Sequence, residues 1–184
     1  MRVVAGELGG RRLVAPRGWK VRPTSDRVRE AIFSALGDVS GARVLELYAG
    51  TGALSIEALS RGAAHATLVD RDTRPALGNV QNLGLDDRID LIRSDVLRWL
   101  ESQARATSSD ERATSYDLIF LDPPYSADRL GAELDPHLPR LLAKGGRVIA
   151  ESAARRPLEL ALPVLRERRY GGTVVVFHGS GEER

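Results

Sequence analysis

Asp122-Pro123-Pro124-Tyr125 follows directly on the apolar run Tyr116-Asp117-Leu118-Ile119-Phe120-Leu121. Neither proline has an N–H to give a sheet, and both fix φ, so a strand that reaches Leu121 must stop there. The stop leaves the carbonyls of Asp122 and Pro123 without a ladder, beside a carboxylate and an aromatic face. Ligands of open α/β sheets bind at the carboxyl ends of strands. A group of this kind suits a planar base bearing an exocyclic amine: the acceptors take the amine hydrogens and Tyr125 stacks on the ring.

A second group lies upstream, in Glu46-Leu47-Tyr48-Ala49-Gly50-Thr51-Gly52-Ala53-Leu54. Two glycines one residue apart allow a sharp turn and the close approach of a ligand to the backbone. A dinucleotide fingerprint would need a third glycine where Ser55 stands, and no Gly-Lys-Ser/Thr follows to make a Walker loop. Glu46, four residues before Gly50, would repel a pyrophosphate and attract a cation. S-adenosylmethionine, with an ammonium and a sulfonium, fits where a dinucleotide does not. Asp70 closes the next apolar segment, where an acid takes both ribose hydroxyls; Asp72 competes for that role. Asp95, in Ser94-Asp95-Val96, can accept from the adenine amine.

The elements that position these residues read as alternating strands and helices. Strands are expected over Arg43–Tyr48, Ala66–Asp70, Ile89–Ile92, Tyr116–Leu121, Arg147–Glu151, Glu167–Tyr170 and Thr173–His178, the last two joined at Gly171-Gly172. Helices are expected over Gly52–Ser60, Thr73–Leu83, Val96–Gln103, from beyond Tyr125 to about Leu142, and near Leu158–Leu165. Ala104–Ser115 reads as a polar loop. Repeated βα units imply a doubly wound, mainly parallel seven-stranded α/β sheet, Rossmann-like, with an antiparallel hairpin at its C-terminal edge.

The first thirty residues differ: Arg2, Arg11, Arg12, Arg17, Lys20, Arg22, Arg27 and Arg29 face only Glu7, Asp26 and Glu30. Val3–Gly6 and Arg12–Ala15 flank Gly9-Gly10 as a short hairpin, and a helix runs from about Thr24 to Leu36. Residues 1–37 are therefore expected to form a basic extension, suited to phosphate contact, on a catalytic domain of residues 38–184. Of 27 basic residues 25 are arginine, whose planar fork binds phosphates and stacks on bases. The chain has no cysteine and three dispersed histidines, which removes thiol chemistry and gives no support to a metal centre. No apolar stretch is long enough to cross a bilayer and no signal-peptide core is seen, so a cytoplasmic protein is expected.

Together, Glu46-x-x-x-Gly50-x-Gly52, Asp70, Asp95 and Asp122-Pro123-Pro124-Tyr125 resemble a class I S-adenosylmethionine-dependent methyltransferase acting on an amino nitrogen. Arg22-Pro23-Thr24-Ser25-Asp26-Arg27-Val28-Arg29-Glu30, Leu47–Leu54 and Glu57-Ala58-Leu59-Ser60-Arg61-Gly62 narrow the resemblance to the RsmD family, over nearly the whole chain. The resemblance implies methylation of a guanine N2 in 16S ribosomal RNA within a partly assembled 30S subunit, by a monomer. It assigns catalysis to Asp122, Pro123, Pro124 and Tyr125, and the cofactor to Glu46, Tyr48, Gly50, Gly52, Asp70, Asp95, Val96 and Asp122. RNA contacts are expected from Arg2, Arg11, Arg12, Arg17, Lys20, Arg22, Thr24 and Arg29. Asp70 stands where the family commonly has glutamate, and Ala104–Ser115 is longer than the family pattern. DNA adenine-N6 or protein glutamine-N5 methylation is the alternative reading, and a non-catalytic RNA-binding protein of the same fold is a remoter one.

Overall fold

The computed structural model describes residues 1–15, 25–106, 115–123 and 129–180. Seven strands form one sheet: β1 (Arg43–Leu47), β2 (His65–Asp70), β3 (Ile89–Arg93), β4 (Tyr116–Leu121), β5 (Leu142–Ala153), β6 (Val164–Tyr170) and β7 (Thr173–Gly179). Their order is β3-β2-β1-β4-β5-β7-β6. Pairing is parallel from β3 through β5 and antiparallel where β7 meets β5 and β6. This is the doubly wound, mostly parallel sheet with a terminal hairpin that the βα alternation predicts.

Among the described residues six α-helices cover it: α1 (Asp26–Leu36), α2 (Ala53–Ser60), α3 (Arg74–Leu83), α4 (Val96–Ala106), α5 (Leu130–Leu134) and α6 (Leu138–Leu141). Successive side chains of a strand point to opposite faces, so the central strands feed two cores. Val44, Leu118 and Phe120 pack with Ile32 and Phe33 of α1, Ile56 of α2 and Val80 of α3. Leu45, Leu47, Ile119 and Leu121 pack on the other face with Leu100 of α4, Leu134 of α5 and Leu138 of α6. The Ser25 hydroxyl caps α1 by accepting from the Val28 N–H at 3.3 Å, and Gly37 ends the helix at φ +77°.

Two helix expectations are corrected. The single helix expected before Leu142 is two short ones, because Pro136 and Pro139 have no N–H for a helix interior, and Pro139 takes the first turn of α6 instead. The helix expected near Leu158–Leu165 does not form. Pro157 and Pro163 bracket the segment, and side chains take its backbone donors: Leu158 N–H donates to Ser152 Oγ at 3.0 Å and Ala161 N–H to Asp135 Oδ1 at 2.8 Å. β6 therefore begins at Val164, before the expected Glu167, and β5 begins at Leu142, before Arg147. Residues 107–114 of the polar insert lie outside the described residues.

The N-terminal hairpin is reduced to one antiparallel bridge between Arg2 and Arg12. Val3 still donates to the Arg11 carbonyl and accepts from Gly10 N–H, each at 2.9 Å, but beyond Val3 the chain leaves its partner because α2 takes its donors. Val4 and Ala5 N–H donate to the two carboxylate oxygens of Glu57 at 2.7 and 3.0 Å, and Glu7 N–H donates to the Ser60 carbonyl at 2.8 Å. Gly6, at φ +84°, lies against that carbonyl so closely that a Cβ would come within 1.8 Å of its oxygen. Val3 and Leu13 are buried in the core that α1, α2 and α3 share.

Glu57 is fully buried, and Arg61 Nε donates to it at 2.8 Å. Glu57→Ala would strand two backbone donors and is expected to lower the unfolding free energy by about 3 kcal/mol in urea titrations. A change below about 0.5 kcal/mol would mean that the arm is not docked on α2 in solution.

Candidate active site

β1 lies between β2 and β4, and the strand order runs outward from it in both directions. Crevices in such sheets open at this reversal, beyond the carboxyl ends of the strands. Leu47 is in register with both Val69 of β2 and Leu121 of β4, and Asp70 is in register with Arg93 of β3. The glycine loop, Asp70, Ser94-Asp95 and Asp122-Pro123 therefore leave four adjacent strands at one end of the sheet.

The glycine loop is bent over β2. Tyr48 and Ala49 N–H both donate to the Val69 carbonyl, at 3.0 and 3.3 Å. Tyr48 has φ +62° and is the one non-glycine residue with positive φ among the described residues, a conformation that costs about 1–2 kcal/mol. Gly50 and Gly52 follow at φ +54° and +73°, and a Cβ on Gly52 would stand 2.7 Å from Leu68 Cδ2. Burial pushes the Tyr48 phenol up to about 12, with the Asp95 charge a further cause.

The four acids have different environments. Glu46 is buried, with Oε2 accepting from Ser55 N–H of α2 at 2.8 Å. Burial raises its carboxyl to about 7 against the hydrogen bonding that lowers it. Asp70 accepts Gly50 N–H on Oδ2 and Asp72 N–H on Oδ1, each at 2.9 Å. An ionised carboxylate has about four lone-pair sites, so two acceptor positions remain for hydroxyl donors. Asp72 is instead held by Arg74, at 2.8 Å from Nε and 2.7 Å from Nη2, and that pair lowers its carboxyl to about 2. This leaves Asp70 as the acid at the strand end.

Asp95 Oδ1 caps α4 by accepting from Arg98 N–H at 3.1 Å. Its Oδ2 is gripped by Arg71 through Nε at 2.8 Å and through Nη2. The capping bond and then Arg71 hold the Asp95 carboxyl below its usual range. Val96 opens α4, and its buried side chain serves the core. Asp122 is half-buried and Pro123 buried at the end of β4; Pro124 and Tyr125 lie outside the described residues.

Of the expected RNA contacts, Arg17, Lys20, Arg22 and Thr24 also lie outside the described residues. Arg2, Arg11 and Arg12 are exposed on the docked arm. Arg29 is not: its side chain is fully buried, with Nη2 on Asp26 Oδ1 at 2.9 Å and on the Arg2 carbonyl. Its guanidinium ties α1 to the arm, and the geometry gives it no face toward a nucleic acid.

Two residues with a part in the site were not picked out by sequence. Arg71 directly follows Asp70, and its pairing with Asp95 appears only once β2 and β3 are side by side. Asn79 is buried in α3 beside Ala76 and Val80. Its Oδ1 accepts from Val14 N–H at 2.8 Å, and its Nδ2 donates to the carbonyls of Thr51 and Val14 at 3.0 and 3.1 Å. It thereby joins the N-terminal arm to the glycine loop. An amide in the apolar register of a helix was the available signal.

The family described as Conserved hypothetical protein 95 matches residues 1–179. The chain is 38% identical over 190 residues to YlbH of Bacillus subtilis (strain 168), named as a candidate rRNA methyltransferase, covering 97% of this chain and 98% of that one. It is 36% identical over 126 residues to ribosomal RNA small subunit methyltransferase D of Escherichia coli (strain K12), covering 68% of this chain and 60% of that one. The solved structure of yhhF from Escherichia coli, titled as a candidate methyltransferase, matches with a TM-score of 0.76 at 27% identity, covering 97% of each chain.

The raised Glu46 carboxyl makes a prediction about pH. Its folded value near 7 lies above the ordinary 4.5, so between those values the folded state holds a proton that the unfolded state has released. Its contribution to stability therefore falls as pH rises from about 4.5 to 7, by on the order of 3 kcal/mol in all. Glu46→Gln is expected to flatten this part of the stability–pH profile measured in urea. An unchanged slope would contradict the assignment.

Proposed function

The chain belongs to the RsmD family, and from that premise we propose that it transfers a methyl group from S-adenosylmethionine to the exocyclic N2 of a guanine in 16S ribosomal RNA. The observation that carries this reading is the alignment of Glu46, Asp70, Asp95 and Asp122-Pro123 at the ends of four adjacent parallel strands. Relatives named for ribosomal RNA methylation support the choice of RNA.

The donor set suits the cofactor. The two open acceptor positions on Asp70 match the two ribose hydroxyls, and the remaining lone pair on Asp95 Oδ1 suits the adenine amine. Glu46 becomes an anion when an ammonium stands close, since a neighbouring cation favours the charged carboxylate. The cofactor would supply an electrophilic methyl on a sulfonium and would leave as the neutral thioether S-adenosylhomocysteine as the carbon–sulfur bond breaks, with the proton that the methylated amine loses passing to the Asp122 carboxylate or to water.

The remaining chemistry falls to the end of β4. A guanine N2 lone pair is delocalised into the ring, so the amine is a weak nucleophile. Acceptance of its hydrogens by the Asp122 carboxylate and the Pro123 carbonyl favours a tetrahedral nitrogen. The same bonds stabilise the positive charge that grows as nitrogen attacks. Tyr125, by sequence, holds the base plane for in-line transfer. A base inside a helix must first be turned out of its stack, at a cost of a few kcal/mol, and phosphate contacts from Arg2, Arg11 and Arg12 offset part of that cost.

The test is tritium transfer from labelled S-adenosylmethionine into 30S particles from cells that lack the protein. Wild type is expected to yield N2-methylguanosine in the 16S RNA, and Asp122→Ala to transfer roughly a hundredfold more slowly at saturating cofactor. Label in DNA or protein, and none in the RNA, would overturn the substrate assignment.

A further inference from the structure

β6 is one of the two edges of the sheet, and each residue from Val164 to Arg169 is exposed. Its sequence, Val164-Leu165-Arg166-Glu167-Arg168-Arg169-Tyr170, is strongly cationic for a strand. Arginine on an edge can serve only to prevent pairing with another sheet. Placement argues for more. β6 runs parallel to β5, since both pair antiparallel with β7. Leu121 is in register with Ala150, Ala150 with Val176, and Val176 with Glu167. Arg169 is in register with Val174, and Val174 with Ser152, so Arg169 shares the sheet face of Ser152 while Arg168 points to the other face. Arg169 therefore lies level with the chain just past Leu121, where Asp122 and Pro123 stand. Three strand spacings, about 14 Å, separate them.

The ground between is open and basic. A cleft of about 680 Å³ runs from Pro123, past Arg129 at the start of α5, to Ser152 near the end of β5 and Arg156 beyond it. Its outer wall is the segment 157–161, pinned by Ser152 and Asp135 in place of a helix. Gly131 brings α5 against that wall, where a Cβ would come 1.8 Å from the Glu159 carbonyl oxygen. Arg155 is exposed on the turn at the cleft's end. Acids are present too, Glu159 and Asp135 at the cleft and Glu167 on β6. Asp135 already accepts from Ala161 N–H. Glu167 pairs with Arg169 Nε at 2.9 Å, with the side chains 46% and 61% exposed. A pair that wet contributes little and yields readily to a phosphate.

We infer that Arg155 and Arg169, beyond the far end of the cleft from Pro123, bind backbone phosphates of the RNA strand that flanks the target base. This rests on the RNA substrate proposed above. With the arm on one side of the catalytic strand end and this edge on the other, the RNA would be gripped on both sides of the nucleotide that is turned out. Arginine's planar fork and permanent charge suit phosphate, and such contacts carry no sequence information of their own.

The test is filter binding of 30S particles from cells lacking the protein, across a range of potassium chloride, with the full chain. The double variant Arg155→Gln/Arg169→Gln is compared with wild type. Arg43→Gln/Lys144→Gln, at the opposite end of the sheet, is the control. Cofactor affinity and melting temperature check that the fold is intact. The double variant is expected to bind the particles at least about fivefold more weakly, with a salt slope smaller by about 1.4, close to 0.7 for each phosphate that is no longer neutralised. The control should match wild type. Unchanged affinity in the double variant, with or without new self-association, would overturn the inference and leave the edge arginines as guards against sheet pairing. Failure of wild type itself to bind the particles would overturn the ribosomal substrate and this surface with it, which separates the two failures.

Discussion

The register of β1 between β2 and β4 is the constraint on which the rest depends. Val44 and Leu45 feed opposite cores, as do Leu118 and Ile119 in the neighbouring strand. A slip of one residue would turn every one of these side chains to the wrong face. Burial on both faces therefore locks the pairing of Leu47 with Val69 and Leu121. That lock places the chain segments after four strands at one level. Asp95 and Asp122 lie within the first two residues of their departing segments, Asp70 ends β2 and Glu46 stands one residue before the end of β1, so hydrophobic packing alone brings the polar groups together.

Within that frame the carboxylates do structural work and keep acceptor capacity for the proposed ligand. Asp70 holds the glycine loop through Gly50, and Asp95 caps α4 while gripping Arg71. Each retains acceptor capacity, so the site is organised before a ligand arrives, which is what electrostatic stabilisation of a transition state requires. The costs are visible in the same place: a non-glycine residue in the left-handed region at Tyr48, and a buried carboxyl at Glu46 that burial pushes toward neutrality. Strain and perturbed acids of this kind concentrate at functional sites.

Most of the sheet was legible because buried parallel strands read as apolar runs closed by turn residues. Asp122-Pro123 and the glycine pair were legible because proline and glycine restrict the backbone directly. β6 was read short because a fully exposed edge strand has no apolar alternation to display, and Val164-Leu165 fell inside an expected helix. The helix expectations that failed gave too little weight to Pro136, Pro139, Pro157 and Pro163. The burial of Arg29, the docking of the arm on Glu57 and the bridge made by Asn79 join residues distant in sequence or turn a charged side chain inward. Apart from an amide in the apolar register of α3 at Asn79, such pairings leave no mark in a local pattern.

The measurement that bears most directly on the proposed site is a crystal structure of the protein with S-adenosylhomocysteine. The account predicts ribose hydroxyls on Asp70, the adenine amine toward Asp95, and the amino-acid end of the ligand at the glycine loop near Glu46, with its sulfur facing Asp122. A ligand bound elsewhere, or in this crevice with its ribose away from Asp70, would contradict it.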